Sequence, residues 1–452
     1  MRTRPNRLSA AILMLSAGLC LQAQAQDPQS DEPPQAEAKD PTKEFVKKIN
    51  DATGLEFWGY GRGGFYSAGT GKLKGGYTLG GDLQKYRLGN EGDNDLEFGI
   101  GKKFDLGEGI KWGVFYMPTI YNGKGGTAQA YFSLAGIFGN AATLWAGQRY
   151  RRIQDVHIVD KWVVEDGDNY GAGIDDIPLW GLGRLNMALH TADSVDNQGG
   201  NPNNAKRINV QWRDIPTNPG GKLVVTGGLI SGDFAQGRDG GALGLMHLQK
   251  NFLAQGLNNV FIAQGSSGHA SLSGKFYNLD NGTTTTGLLL PPGFGLENTL
   301  PFAPLVERTV ITPQAGARQR RILDSMDFQF GRFGGQGLIG YQTTRPDNGP
   351  ETKDFSLGGR LSYGIAKYTK LLTELSTTRR STDDQPRQTL NKGTIAVAFS
   401  PNTDFWTRPE FRIYATRASW NKAAGDANAT SFGANGRMNA TTFGLQMEAW
   451  WE

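Results

Sequence analysis

The sequence predicts an all-β fold: a transmembrane antiparallel β-barrel of about 18 strands with a constriction loop folded inward. Three observations point to it. From Phe57 onward, short stretches of period two are separated by glycine, asparagine and aspartate turns; the chain opens with an export signal; and no second apolar stretch is long enough to cross a bilayer as a helix.

Residues 1–25 read as a signal peptide. Arg2, Arg4 and Arg7 give a positive start, Leu8 to Leu21 a short apolar core, and Ala23-Gln24-Ala25 small residues for cleavage. The one cysteine, Cys20, lies inside this stretch and follows Leu19 rather than a small residue, which argues against a lipid anchor. Residues 26–56 form an acidic, proline-rich linker. A short periplasmic helix can close it: Asp40 suits the cap, Pro41 the first helical position, Phe45 and Ile49 lie one turn apart, and Gly54 is a stop.

Residues 57–452 are the barrel. They number 396, and division among about 18 strands leaves roughly 22 residues per strand and connection, where a spanning strand needs about 10. The last strand shows the pattern best: Phe443, Leu445, Met447, Ala449 and Trp451 alternate with Gly444, Gln446, Glu448 and Trp450, so one face is apolar and the other polar. Phe411, Ile413 and Ala415 repeat it, as do Leu96, Phe98 and Ile100 against Asp95 and Glu97. The first strand puts Glu56, Trp58, Tyr60 and Arg62 on one side, a face suited to an aqueous lumen. Asp193 to Lys206 and Tyr277 to Gln319 are the candidates for long loops.

Composition narrows the chemistry. Three of the 47 lysines and arginines fall in the signal, leaving 44 against 43 acids, without the clustered basic surplus of a nucleic-acid binder. Gly59-Tyr60-Gly61-Arg62-Gly63-Gly64 matches GxGxxG, but the glycine-rich stretch after it has no helical period, so a dinucleotide site is rejected. No metal-ligand or catalytic signature is present, and the four histidines are scattered. The chain is therefore read as a non-enzyme without cofactor or metal.

The densest polar segment runs from Gln148 to Trp162 and carries Arg149, Arg151, Arg152, Asp155, His157, Asp160 and Trp162. Folded into a barrel, it would set donors and acceptors across a pore, with aromatic faces for pyranose rings.

These residues resemble the maltoporin family of trimeric sugar-specific outer-membrane porins. The shared stretches are Gly59-Tyr60-Gly61-Arg62, Lys85 to Glu91, Trp145 to Tyr150, Asp155 to Asp160, Gly171 to Ile174, Arg321 to Asp324, Trp406 to Pro409 and Thr442 to Trp451, in the family's order. The resemblance implies a homotrimer in the Gram-negative outer membrane, surrounded by its lipid and passing small neutral sugars, with a third loop as constriction. It also implies an aromatic slide, to which Tyr60, Trp162 and Trp450 correspond, with Tyr121 a partial substitute for a ring donated to the neighbouring subunit. A charged track would run beside it through Arg62, Arg87, Glu97, Asp155, His157 and Asp160, with Arg149, Arg151 and Arg152 in the constriction. Asp95 replaces a slide aromatic, and Leu245 and Ile365 fall near two others, so the slide should be short. A general or differently selective porin and an exported carbohydrate-active enzyme are the competing readings.

Overall fold

A computed structural model describes residues 41–451 except 69–75, 192–203, 235, 278–282, 286–307, 311–314 and 434–435. The expected signal and most of the expected acidic linker lie outside the described residues. Helix α1, Pro41–Thr53, is closed by Gly54, whose positive φ of 62° suits glycine and whose N–H donates to the Asn50 carbonyl.

Eighteen strands follow: β1 Glu56–Ala68, β2 Asp95–Asp105, β3 Lys111–Tyr121, β4 Lys124–Ala135, β5 Thr143–Val156, β6 Lys161–Pro178, β7 Arg184–Thr191, β8 Lys206–Pro216 and β9 Gly221–Ser231 form the first half. The second half is β10 Gly240–Gln249, β11 Leu257–Ser267, β12 Ala317–Phe330, β13 Phe333–Pro346, β14 Thr352–Ala366, β15 Thr369–Thr382, β16 Gln388–Phe399, β17 Glu410–Trp420 and β18 Asn439–Trp451. Each pairs antiparallel with its sequence neighbours, and β1 pairs with β18 from Gly59↔Trp451 to Ala68↔Thr442, which closes the barrel. Closure removes the edges of the 18-stranded sheet, as a strand protein in lipid requires.

Sequence alternation sets the two faces. On β18, Thr442, Gln446 and Glu448 are buried toward the lumen while Phe443, Leu445 and Met447 are exposed outward. The Glu56, Trp58, Tyr60, Arg62 face of β1 also turns inward, with Trp58 edge-on to Phe115 of β3 at 6.0 Å.

Connections differ between the two ends. At the end shared with both termini most are short, such as 331–332 and 367–368; at the far end they include 69–94, 268–316 and 421–438. Short turns are periplasmic and long loops extracellular in such barrels, so the far end faces outward from the cell. The β3–β4 turn at the far end is reduced to Asn122-Gly123, with φ of 49° and 80°, the residue pair that a tight two-residue hairpin favours. The long loops expected at 193–206 and 277–319 coincide with far-end connections and lie largely outside the described residues; within the second, Thr283–Thr285 pairs with Arg308–Val310.

The largest buried apolar cluster sits inside the barrel. Leu83 and Tyr86 from the first connection, and Val156, Ile158, Val159, Val163 and Val164 from around the β5–β6 turn, pack on Val224, Met246, Val260, Ile262, Leu323 and Leu338 of β9 to β13.

Candidate pore and constriction

The constriction is a β-ribbon. Pairing of β4 with β5 stops at Ala130↔Gln148 and pairing of β6 with β7 begins at Gly171↔His190, whereas β5 and β6 remain paired to Val156↔Lys161. Residues 149–156 and 161–170 thus leave the wall together. A register shift between Ile153 and Asp155, with Gln154 at φ 56°, kinks the ribbon, and Asp160 at φ 55° closes its tip. The expected third loop is therefore inward, but its arginines lie on strands; only residues 157–160 form the turn. The ribbon crosses the lumen: the Gln336 side chain on β13 accepts from the Ile158 N–H at 3.1 Å, and Arg321 on β12 donates to the Val163 carbonyl at 2.7 Å.

A second inward segment was not expected. Residues 76–93 of the first connection line the lumenal face of β14 to β17. Glu374 accepts from the Leu88 N–H at 2.9 Å, Thr394 and Thr416 donate to the carbonyls of Leu88 and Gly89 at 3.0 and 3.1 Å, and Lys392 donates to those of Lys85 and Tyr86. Gly89 is required there: with φ of 62°, an added Cβ would stand 2.3 Å from Thr416 Oγ1. The Arg87 N–H donates to the Ile158 carbonyl at 2.9 Å, which joins this segment to the ribbon tip.

The predicted track residues other than Glu97 converge where the two segments meet β1 and β18. Arg87 lies 3.0 Å from Glu91, 2.8 Å from Glu448 and 3.4 Å from Asp160. Arg62 pairs with Asp93 at 2.6 Å and reaches Asp160 at 3.5 Å, Lys85 also contacts Asp160, and Arg408 and Arg412 approach Glu448 at 3.0 and 2.5 Å. The Tyr60 hydroxyl accepts from Arg62 and Arg87 and donates to Glu448 at 3.0 Å. Burial would raise the Asp160 and Glu91 carboxyls, but Arg87 and Lys85, joined at each by Arg62, outweigh it and hold both below the usual carboxylate range.

His157 stands at the centre of this network. Its nitrogens face Arg87 at 3.3 Å and Arg408 at 3.2 Å, and Asp155 lies 3.8 Å away. Burial pushes its pKa down to about 3, so the ring is neutral at pH 7. Trp450 and Trp406 meet it edge-on with centroids at 5.4 and 5.6 Å, and the Arg408 guanidinium lies 4.1 Å from the Trp450 ring.

A second cluster occupies the ribbon's base. Tyr150 donates to Glu97 at 2.6 Å, Arg152 lies 3.5 Å from the same carboxylate, and Arg149 and Arg151 pair with Asp175 and Glu165 at 2.5 and 3.0 Å. The polar residues nominated from sequence thus divide into two adjoining groups.

The aromatic positions are less uniform. Tyr60 and Trp450 sit side by side, cross-strand partners of β1 and β18. Trp162 lies in the ribbon opposite Asp155 and makes no ring contact with another aromatic among the described residues. Tyr121 is at the far end of β3, its hydroxyl donating to Asp93 at 3.2 Å. Leu245 and Ile365 both point outward and are about half exposed, so neither holds a lumenal position. Trp406 was missed as a site residue although Trp406 to Pro409 carried the resemblance; it lies in a turn, where no alternation assigns a face. Glu448 was missed because a single acid on a polar face carries no signal until Arg87, Arg408 and Arg412 surround it.

A closed barrel with an apolar exterior, a charged lumen and inward-folded segments defines a transmembrane pore of the porin class. Residues 55–451 match the family described as LamB porin, and the chain belongs to that family. It is accordingly an outer-membrane porin of a Gram-negative bacterium. Similar solved structures include the anion-selective porin from Comamonas acidovorans (12% identity, 87% of this chain and 99% of that one covered, TM-score 0.43). OccAB2 from Acinetobacter baumannii (9%, 88% and 98%, TM-score 0.46) and OccK3 (OpdO) from Pseudomonas aeruginosa (9%, 88% and 96%, TM-score 0.45) are others. Identities this low carry no information about what passes the pore.

Proposed function

We propose that this porin is a passive channel for carbohydrates, maltose-like sugars or related oligosaccharides, with the β5–β6 ribbon as its selective element. The observation that carries the reading is the juxtaposition of Tyr60, Trp406 and Trp450 with ion pairs of both signs. Trp406 remains 37% exposed, which leaves ring surface free for the apolar face of a pyranose. Guanidinium and carboxylate groups beside it exchange hydration for hydrogen bonds to hydroxyls. A balanced set of charges favours neutral polyhydroxylated solutes over ions of either sign. Binding must stay weak, because a tightly held solute blocks the path.

In planar bilayers sugar should interrupt the ion current of the purified protein, and Trp162→Ala and Trp406→Ala should each weaken that block. A sugar response unchanged in both variants would remove the assignment. Asp95 on the lumenal face and the outward Leu245 and Ile365 shorten the slide and favour a second reading, a porin of different selectivity. Uptake of maltose, sucrose and a non-sugar anion separates the two. Trimeric assembly is part of this proposal, supported by the family resemblance, and is tested by the mass of the detergent-solubilised particle.

A further inference from the structure

The outward face of the far end carries a basic cluster that the pore does not use. Arg321 and Gln319 of β12 are buried toward the lumen, so the alternate residues Arg318 and Arg320 project outward, and both are exposed. Arg345 of β13 is directly cross-strand from Arg318, and Arg320 is cross-strand from Thr343, whose other neighbour is Lys353 of β14. Like charges placed opposite each other repel and destabilise a sheet unless an anion lies between them. Arg318, Arg320 and Arg345 have no carboxylate partner among the described residues. The nearby acid, Glu351, is already paired with Lys353 at 3.2 Å, and Asp347 lies 3.6 Å from Arg238.

The cluster has a shape and a depth. The three arginines, Tyr341, Thr343 and Glu351 line most of a concavity of about 460 Å³. Arg318 is the second residue of β12 and Arg345 the second to last of β13, so the guanidinium groups stand at the rim of the wall. One side-chain repeat below, on the same face, begin Ile322, Tyr341, Ile339 and Leu357, all exposed outward. A repeat of two residues is roughly 7 Å along a strand, the step from acyl chains to headgroups. The far ends of β1 and β18, by contrast, present Phe65, Ser67, Thr441 and Phe443 outward.

From this arrangement we propose that β12 and β13 form a binding site for the phosphate groups of a glycolipid in the outer leaflet. The guanidinium fork matches phosphate oxygens with paired hydrogen bonds, and removing the anion restores the Arg318–Arg345 repulsion. Its placement outside the barrel above an apolar belt selects an amphiphile over a free anion, which would bind equally well in the lumen or in a loop.

The test uses the full-length protein in detergent and native mass spectrometry with three probes: bisphosphorylated lipid A, its dephosphorylated form and inorganic phosphate. The wild type should retain bisphosphorylated lipid A, and the triple variant Arg318→Gln, Arg320→Gln, Arg345→Gln should lose affinity by on the order of tenfold or more. Lys206→Gln, at the far end of β8, removes a charge elsewhere on the rim and should retain it. Heat-modifiable migration on gels establishes that each variant is a folded barrel. Equal retention by the triple variant, or equal binding of the dephosphorylated glycolipid, would overturn the proposal. So would competition by inorganic phosphate at comparable concentration, which would mark a free-anion site. A changed subunit stoichiometry with lipid retention intact would assign the face to protein contact and overturn it as well.

Discussion

Replacing Arg87 by alanine should open the channel. Arg87 contacts Glu91 on its own segment, Asp160 on the ribbon tip and Glu448 on the wall, so it ties all three together from the segment, as Arg62 does from the wall. Removing one partner of a buried ion pair costs about 3–5 kcal/mol. Arg62, Lys85, Arg408 and Arg412 remain beside those carboxylates and offset part of that, which leaves a loss of about 2 kcal/mol in the docking of residues 76–93. The population of the undocked segment then rises roughly 30-fold. The barrel should persist, because its strand pairing does not involve Arg87. Single-channel recordings in planar bilayers should show a larger or noisier conductance than the wild type, and Arg87→Lys, which keeps the charge but not the fork, should fall between them. Conductance histograms of wild type and Arg87→Ala that superimpose, from protein shown to be folded, would refute the inference that this segment obstructs the lumen.

Three further outcomes follow from the same geometry. Gly89→Val, which drives a side chain into Thr416 and Tyr414, should displace the segment and raise conductance without altering the ribbon; proteolysis at residues 76–93 should accelerate in parallel. Acidification should loosen the docked segment once the carboxylates titrate: Asp160 and Glu91 have folded pKa values below their free ones, so the docked state binds fewer protons there and loses stability as pH falls, whereas Asp155, raised by burial to about 7, offsets the loss from His157, lowered by burial to about 3. Loss begins near the free carboxylate values of about 4, and hydrogen exchange of residues 76–93 should be faster at pH 3 than at pH 7. Trp406→Ala should weaken sugar block by about fivefold, the equivalent of roughly 1 kcal/mol per lost ring contact, read from the sugar concentration that halves the current.

The wall of the barrel was legible because a wall strand has one apolar and one polar face. Thr442 to Trp451 and Leu96 to Ile100 declare their orientation residue by residue, and Glu56, Trp58, Tyr60 and Arg62 turn inward together. Periodicity stops informing where a segment has no lipid face. Residues 76–93 are mostly buried, with Tyr77, Tyr86 and Leu88 beside Gln84, Arg87 and Glu91, and no repeat of two or of 3.6 describes that mixture. The ribbon was legible as a polar concentration and not as a hairpin, because Arg149 to Val156 pairs with β6 alone and so escapes the wall's alternation. The rim arginines need a register: Arg318, Arg320 and Arg321 read as one basic run until the sheet sends Arg321 inward and sets Arg345 opposite Arg318.

The most direct measurement of the central claim is a titration of single-channel conductance with mono- and oligosaccharides on the wild type, Trp406→Ala and Arg62→Ala. Selective carbohydrate passage predicts saturable block by sugars, strengthened with chain length and weakened in both variants. Current that falls only in proportion to solution viscosity, identically in all three proteins, would contradict it.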